Sequence, residues 1–328
     1  MPVPVFKTGV NNHRLCLLRC HHGEAPDLAP VFFHVKMQPM HDILIDPYPF
    51  NHHVVYAIIT LCICLALQLL ACAYARRDQG KFYDTASGLS VALACIAAYE
   101  IRGTHFERQT VSTCLVTLWG VRLSWYLRQR HVAASTRVNP GELLAPRLLW
   151  GLSSSLPTVL CNLDERERMA WTHTELAGVV LAIIGLFVET LADEQKRRWH
   201  MKNATSRPAK DSQVPPVCAH GLWSISRHPN YMGEIAFQFG IFFICWDAIP
   251  AFLVICPILI FLMLTVFDGA MLTIERVRNT RFAAYPAYIT YKQTTPLLFP
   301  RPSWTPRVFR KLCCLECACY DDLEQGEA

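Results

Sequence analysis

The stretch 54–75 is apolar throughout except for one strongly polar side chain, Gln68. A bilayer core about 30 Å thick is crossed by roughly 20 apolar residues in helical form, so a soluble globular domain cannot account for the whole chain. Composition agrees. Hydrophobic residues make up 52% of the 328 positions and charged ones 17%, against roughly 25% charged in ordinary soluble domains. The chain reads as all-α, a polytopic membrane helix bundle with the lipid bilayer as its first partner.

Seven spans are expected, at about 54–75, 84–101, 110–128, 143–160, 174–191, 231–246 and 251–271. The fourth is interrupted by Pro146, Arg147 and Pro157 and reads either as a crossing or as a re-entrant segment. Charge favours a crossing. The basic connectors at 76–81, 128–137 and 196–210 fall on one side only if the fourth segment spans. The N-terminus is then lumenal or external and the C-terminus cytosolic. The net charge of +5 sits in these connectors, and no basic stripe with interleaved aromatics suggests nucleic acid as a partner.

Three parts follow from this pattern: a polar N-terminal extension at 1–50, a membrane-embedded domain at 51–300 with its cofactor half at about 174–300, and a Cys-rich cytosolic tail at 301–328. The extension is rich in His and Pro and lacks signal-peptide organisation; it is expected to be a disordered segment, the alternative being a start at Met37 or Met40. The tail cysteines Cys313, Cys314, Cys317 and Cys319 suit palmitoylation or an inert tail better than a metal site, which calls for cleaner paired spacing. No metal is expected.

Two segments, 193–230 and 275–300, are too polar for lipid and too aromatic for ordinary linkers. The first follows ETLADEQKRRW at 189–199, where Glu189, Asp193 and Lys196 or Arg197 share one helix face. An acid inside a span faces a partner or a wet cavity, so Glu189 is either a salt-bridged helix end or part of a site. The second motif is GLWSISRHPNYMGE at 221–234. Pro229 suits the first turn of a helix, which sets Arg227 and His228 at its positive end as an anion site. The alternative is a membrane anchor, with Arg227 snorkelling and Tyr231 in the interfacial belt. The third runs from Glu275 through Tyr285, Tyr288 and Tyr291 to Pro300, and taken alone also reads as an interfacial amphipathic helix.

In order and spacing these motifs resemble the steroid 5-alpha-reductase-like membrane family, over roughly residues 84–300. The matched positions are Glu189, Ala192, Asp193 and Gln195, then 221–234, then Glu275 with Tyr288 and Tyr291; the TLWGVRL run at 117–123 adds to the likeness. The RHPNY element is shared with sterol C14-reductases, and isoprenylcysteine and phospholipid methyltransferases carry a looser form. The resemblance implies an NADPH-dependent reductase of a double bond in a lipid enone, with a lipophilic small molecule as substrate and the endoplasmic reticulum as location. It implies a cofactor set of Glu189, Asp193, Gln195, Arg197, Arg227, His228, Asn230, Tyr231, Glu234 and Glu275. The alternatives are an S-adenosylmethionine-dependent methyltransferase of a membrane substrate and a non-catalytic protein that keeps the fold. For the early-span Glu and Tyr that polarise the substrate carbonyl, Tyr99 and Glu100 are the nearest pair and Tyr126 a further donor, with Arg102 offering Glu100 a plain salt bridge. No G-x-G-x-x-G is present, so a dinucleotide site has to be built from helices and loops.

Overall fold

The computed structural model describes residues 81–133, 144–166, 170–203, 208–267 and 270–300, preceded by Val55, Ile58, Ile59, Cys62, Ile63, Ala66, Leu69 and Leu70, all helical. The extension 1–50, the tail 301–328 with its cysteines, and the rest of the first span lie outside the described residues. All regular structure among those described is helical. The helices are α1 (Lys81–Arg102), α2 (Glu107–Ala133), α3 (Leu144–Asn162), α4 (His173–Lys202) and α5 (Pro229–Ile244). A broken run follows: a 3₁₀ turn (Ala251–Val254), α6 (Ile255–Leu262), a π turn (Met263–Phe267) and α7 (Ala270–Phe282), with α8 (Pro286–Thr294) closing the chain. Segment 143–160 forms α3, continuous through Pro157.

Local sequence sets the helix ends. Thr172 caps α4 in a reciprocal capping box with Glu175. Pro229 occupies the first turn of α5, where its missing N–H leaves nothing unpaired. α4 runs well past its apolar stretch to Lys202 because Glu194 pairs with Arg197 and Arg198 at i+3 and i+4.

Small residues bring the helices together. In the antiparallel α4–α5 pair, a Cβ on Gly185 would lie 2.4 Å from the Phe237 nitrogen, one on Gly233 2.5 Å from that of Glu189, and one on Gly240 2.4 Å from that of Ala182. The backbones therefore touch along a seam of Gly178, Ala182 and Gly185 against Gly233 and Gly240, the kind of contact that lets helices pack tightly within lipid. α1 and α2 meet the same way at Gly88 and Gly120. α2 and α4 are joined at two levels, Arg108 to Glu175 and Arg122 to Glu189. Both partners step 14 residues along their helices between these levels, so α2 and α4 run parallel in fixed register over about 21 Å.

His173–Lys202 and the run Ala251–Phe282 are long and apolar enough to cross a membrane, with only 33% and 38% of their apolar windows buried by the rest of the protein. α4 turns Val180, Ile183, Ile184 and Phe187 outward. An exposed apolar face of this kind marks a membrane or partner contact, and it fits a membrane protein. The α4–α5 seam makes a direct demand on size. Gly240→Val should destabilise the fold by about 1–3 kcal/mol through overpacking, lowering the thermal midpoint in detergent, whereas Gly151→Ala, whose Cβ meets only Val91 at 3.9 Å, should leave it almost unchanged.

Candidate functional site

The most polar part of the bundle interior is built from four helices. α4 supplies Glu189 and Asp193, one turn apart and 2% and 3% exposed. α2 supplies Arg122, which pairs with Glu189 and whose Nη1 donates to Asp193 Oδ2 at 2.7 Å. Trp119 of α2 donates its indole N–H to Glu189 Oε2 at 2.9 Å. α5 adds Glu234, buried, which accepts the indole N–H of Trp150 from α3 at 3.0 Å. Trp119 stacks on Phe237 at 5.3 Å and lies 5.5 Å from Trp150, ring centre to ring centre, so the carboxylates stand beside an aromatic wall. Two of the three carboxylates pair with one guanidinium, and the third takes an indole N–H. Isolated acids of this kind are not tolerated in an apolar interior without partners, and the indoles and Arg122 provide them.

A second layer sits over the loop ends of α4 and α5. Gly221 adopts φ +62°, and a Cβ there would strike the Gln195 amide; Gln195 Oε1 accepts from the Leu222 backbone N–H at 3.0 Å. The Trp223 indole donates to the Ala192 carbonyl, and the Tyr291 hydroxyl donates to the Trp223 carbonyl at 2.7 Å. Arg227 and His228 are buried, and both face Glu275 of α7, which also takes Arg278. Tyr231 stacks on His228 at 5.3 Å. The third motif thus closes directly on the second.

The expected residues divide accordingly. Glu189, Asp193 and Glu234 belong to the inner cluster, with Asn230 one turn above Glu234 on α5. Gln195, Arg227, His228, Tyr231 and Glu275 belong to the loop layer, and Arg197 is engaged by Glu194. Tyr126 lies one turn beyond Arg122 on α2. Tyr99 and Glu100 lie elsewhere: the Tyr99 hydroxyl meets Thr110 at 2.9 Å and its ring stacks on His105, which places them at the opposite end of α2, about 18 Å from the level of Arg122. The Arg102 side chain lies outside the described residues. Sequence reasoning did not single out Trp119, Arg122 and Trp150, though the TLWGVRL run contains the first two. Several buried polar atoms have no hydrogen-bond partner among the described residues, among them Asn230 Oδ1, Arg122 Nε, Arg227 Nε and Gln238 Nε2. Such atoms, beside carboxylates that accept hydrogen bonds, suit a ligand carrying hydroxyl and carboxamide groups. No group of three or more His, Cys, Asp or Glu side chains among the described residues is arranged to hold a metal ion.

Two consequences are measurable. Arg122→Met leaves Glu189 and Asp193 buried without their cation and should cost about 3–5 kcal/mol of stability, with Arg122→Lys recovering part of it in the same thermal unfolding assay. His228 faces Glu275, Arg227 and Arg278 and lies within the field of Lys196. Burial pushes its pKa down from 6.5 to about 4, a fall that Glu275 only partly offsets. The unfolded chain therefore takes up a proton below about pH 6.5 that the folded chain refuses until about pH 4. Stability is full above pH 6.5 and is lost as pH falls through that window. The thermal midpoint should drop between about pH 7.5 and about pH 4.5, and His228→Asn should reduce the drop.

Residues 51–137 and 144–295 match the family described as "Protein of unknown function (DUF1295)". Neither a curated protein nor a solved structure is matched. With more than half of its length covered, the chain belongs to the DUF1295 family, which is associated with steroid 5-alpha-reductase-like membrane proteins.

Proposed function

We propose that the chain is an integral membrane reductase that uses NADPH to saturate a carbon–carbon double bond conjugated to a carbonyl in a lipid. In this reading it crosses the bilayer seven times, with the N-terminus lumenal or external and the C-terminus cytosolic, in the endoplasmic reticulum. One observation carries the proposal: Glu189 and Asp193 of the first motif and Asn230 and Glu234 of the second lie on facing helices, together inside the bundle. Beside these acids stand unpaired amide and guanidinium atoms, Asn230 Oδ1 and Arg122 Nε, which a purely structural ion pair does not call for.

Asp193, Asn230 and Glu234 would hold the hydroxyl and carboxamide ends of the cofactor, and Arg122 would keep the carboxylates in place. Arg227, His228 and Tyr231, tied to Glu275, would position the loop. Arg197 would stand at the cytosolic rim, where phosphates arrive. The chemistry required of the cofactor is hydride supply. The protein's own contribution is orientation, exclusion of water and a hydrogen-bond donor for the oxygen that gains charge as hydride reaches the β carbon.

The test is thermal stability of the purified chain in detergent, titrated separately with NADPH, NADH and S-adenosylmethionine. A saturable rise with NADPH, at least halved by Asn230→Ala or Asp193→Asn, is the expected result. A rise with S-adenosylmethionine alone would replace the reductase with a methyltransferase of a membrane substrate. A flat response to all three would favour a non-catalytic protein.

A further inference from the structure

The α3–α5 interface contains polar groups that neither the cluster nor the loop layer uses. Gln238 lies one turn beyond Glu234 on α5, and its Nε2 has no hydrogen-bond partner among the described residues. Ser154 and Thr158 lie one and two turns beyond Trp150 on α3, and their hydroxyls are likewise unpartnered. All three are deeply buried, at 4%, 1% and 0% exposure, among core residues that include Val159, Phe237 and Ile241. Buried groups of this kind are nearly always paired, because an unpaired one forfeits its hydration without return.

Helix register places two of them opposite one another. Trp150 meets Glu234 across an offset of 84 residues. Cys161 and Cys245, both in the same buried core cluster and close enough to interact, repeat that offset, so α3 and α5 run parallel in constant register between these levels. At the same offset Gln238 falls level with Ser154, one turn deeper than the Trp150–Glu234 contact. Both can donate: an amide N–H and a hydroxyl, without a protein acceptor, in apolar surroundings.

We propose that Ser154 and Gln238 form a two-donor niche that takes the carbonyl oxygen of a lipophilic ligand, with the Thr158 hydroxyl as its floor. The ligand class rests on the reductase reading. In that reading the niche, rather than Tyr126, holds the enone oxygen, and it lies on the side of the carboxylates away from the cytosolic loops. A lipid reaching it from the bilayer would have its ketone fixed by two donors while the conjugated carbons remain level with Glu234.

The experiment compares binding of androst-4-en-3-one with that of androst-4-ene, the same skeleton without the ketone. It uses the full chain in nanodiscs without NADPH, reading quenching of the tryptophans. The wild type should bind the ketone roughly tenfold more tightly, since a site built to hydrogen-bond an oxygen discriminates against the analogue lacking it. Gln238→Met should shrink the preference to about twofold or less, Ser154→Ala should reduce it partly, and Tyr126→Phe should leave it intact. The ligand-free thermal midpoint of Gln238→Met should be unchanged or higher, because no internal hydrogen bond is lost. Equal binding of the two probes by the wild type overturns the niche. So does a full preference retained in both niche variants, or a preference lost in Tyr126→Phe alone. Because no cofactor is present, ketone preference with no NADPH response would sink the reductase reading and leave the niche standing.

Discussion

Arg122 holds the interior together. Its guanidinium is the cation that Glu189 and Asp193 both reach, and it does so from a neighbouring helix rather than from their own. A carboxylate in an apolar bundle is stable only with such a partner, so α2 and α4 must stay parallel and at a fixed height. Arg108 with Glu175 repeats the arrangement at the other end. Once α2 and α4 are registered, the glycine seam sets how closely α5 approaches, and Glu234 arrives beside the same acids with Trp150 of α3 as its donor.

Much of this was legible in the sequence where the signal is local. Apolar runs located α1 to α5, and Pro229 marked the start of α5 because the missing N–H of proline admits few other places in a helix. The i, i+4 spacing of Glu189 and Asp193 put both on one face, where they are found. The limits of the reading were long-range. The partner of Glu189 lies on another helix, 67 residues earlier in the chain, and no period within a helix points across to it. Arg227 and His228 read as a free positive end. The Arg227 charge is answered by Glu275, 48 residues later, which also meets the His228 ring and which the sequence set down as part of a separate aromatic strip.

The loop layer explains why its motif is dense in residues of unlike chemistry. Gln195 fills the space over Gly221, Trp223 ties the loop to the Ala192 carbonyl, and Tyr291 fastens the same tryptophan to α8. The cation of Lys196 lies 5.0 Å from the Trp223 ring centre. The Arg227 backbone N–H donates to the Pro296 carbonyl, and Ser226 donates to that of Leu298. Each residue meets a different element, so a 14-residue stretch joins α4, α7, α8 and the segment after α8 into one cap.

The α4–α5 seam and the polar stripe on α5 follow different periods. Gly233 and Gly240 are seven residues apart, close to two full turns, so the seam stays on nearly one line. Asn230, Glu234 and Gln238 step by four, and each step advances about 40° around the helix. Over about 12 Å of descent the stripe swings through about 80°, leaving the side of α5 that faces α4 and ending towards α3. The polar path through this bundle is therefore a screw and not a shaft. A straight, rigid molecule could touch its upper or its lower half, and only one with a bend, or two molecules meeting end to end, could follow its whole length.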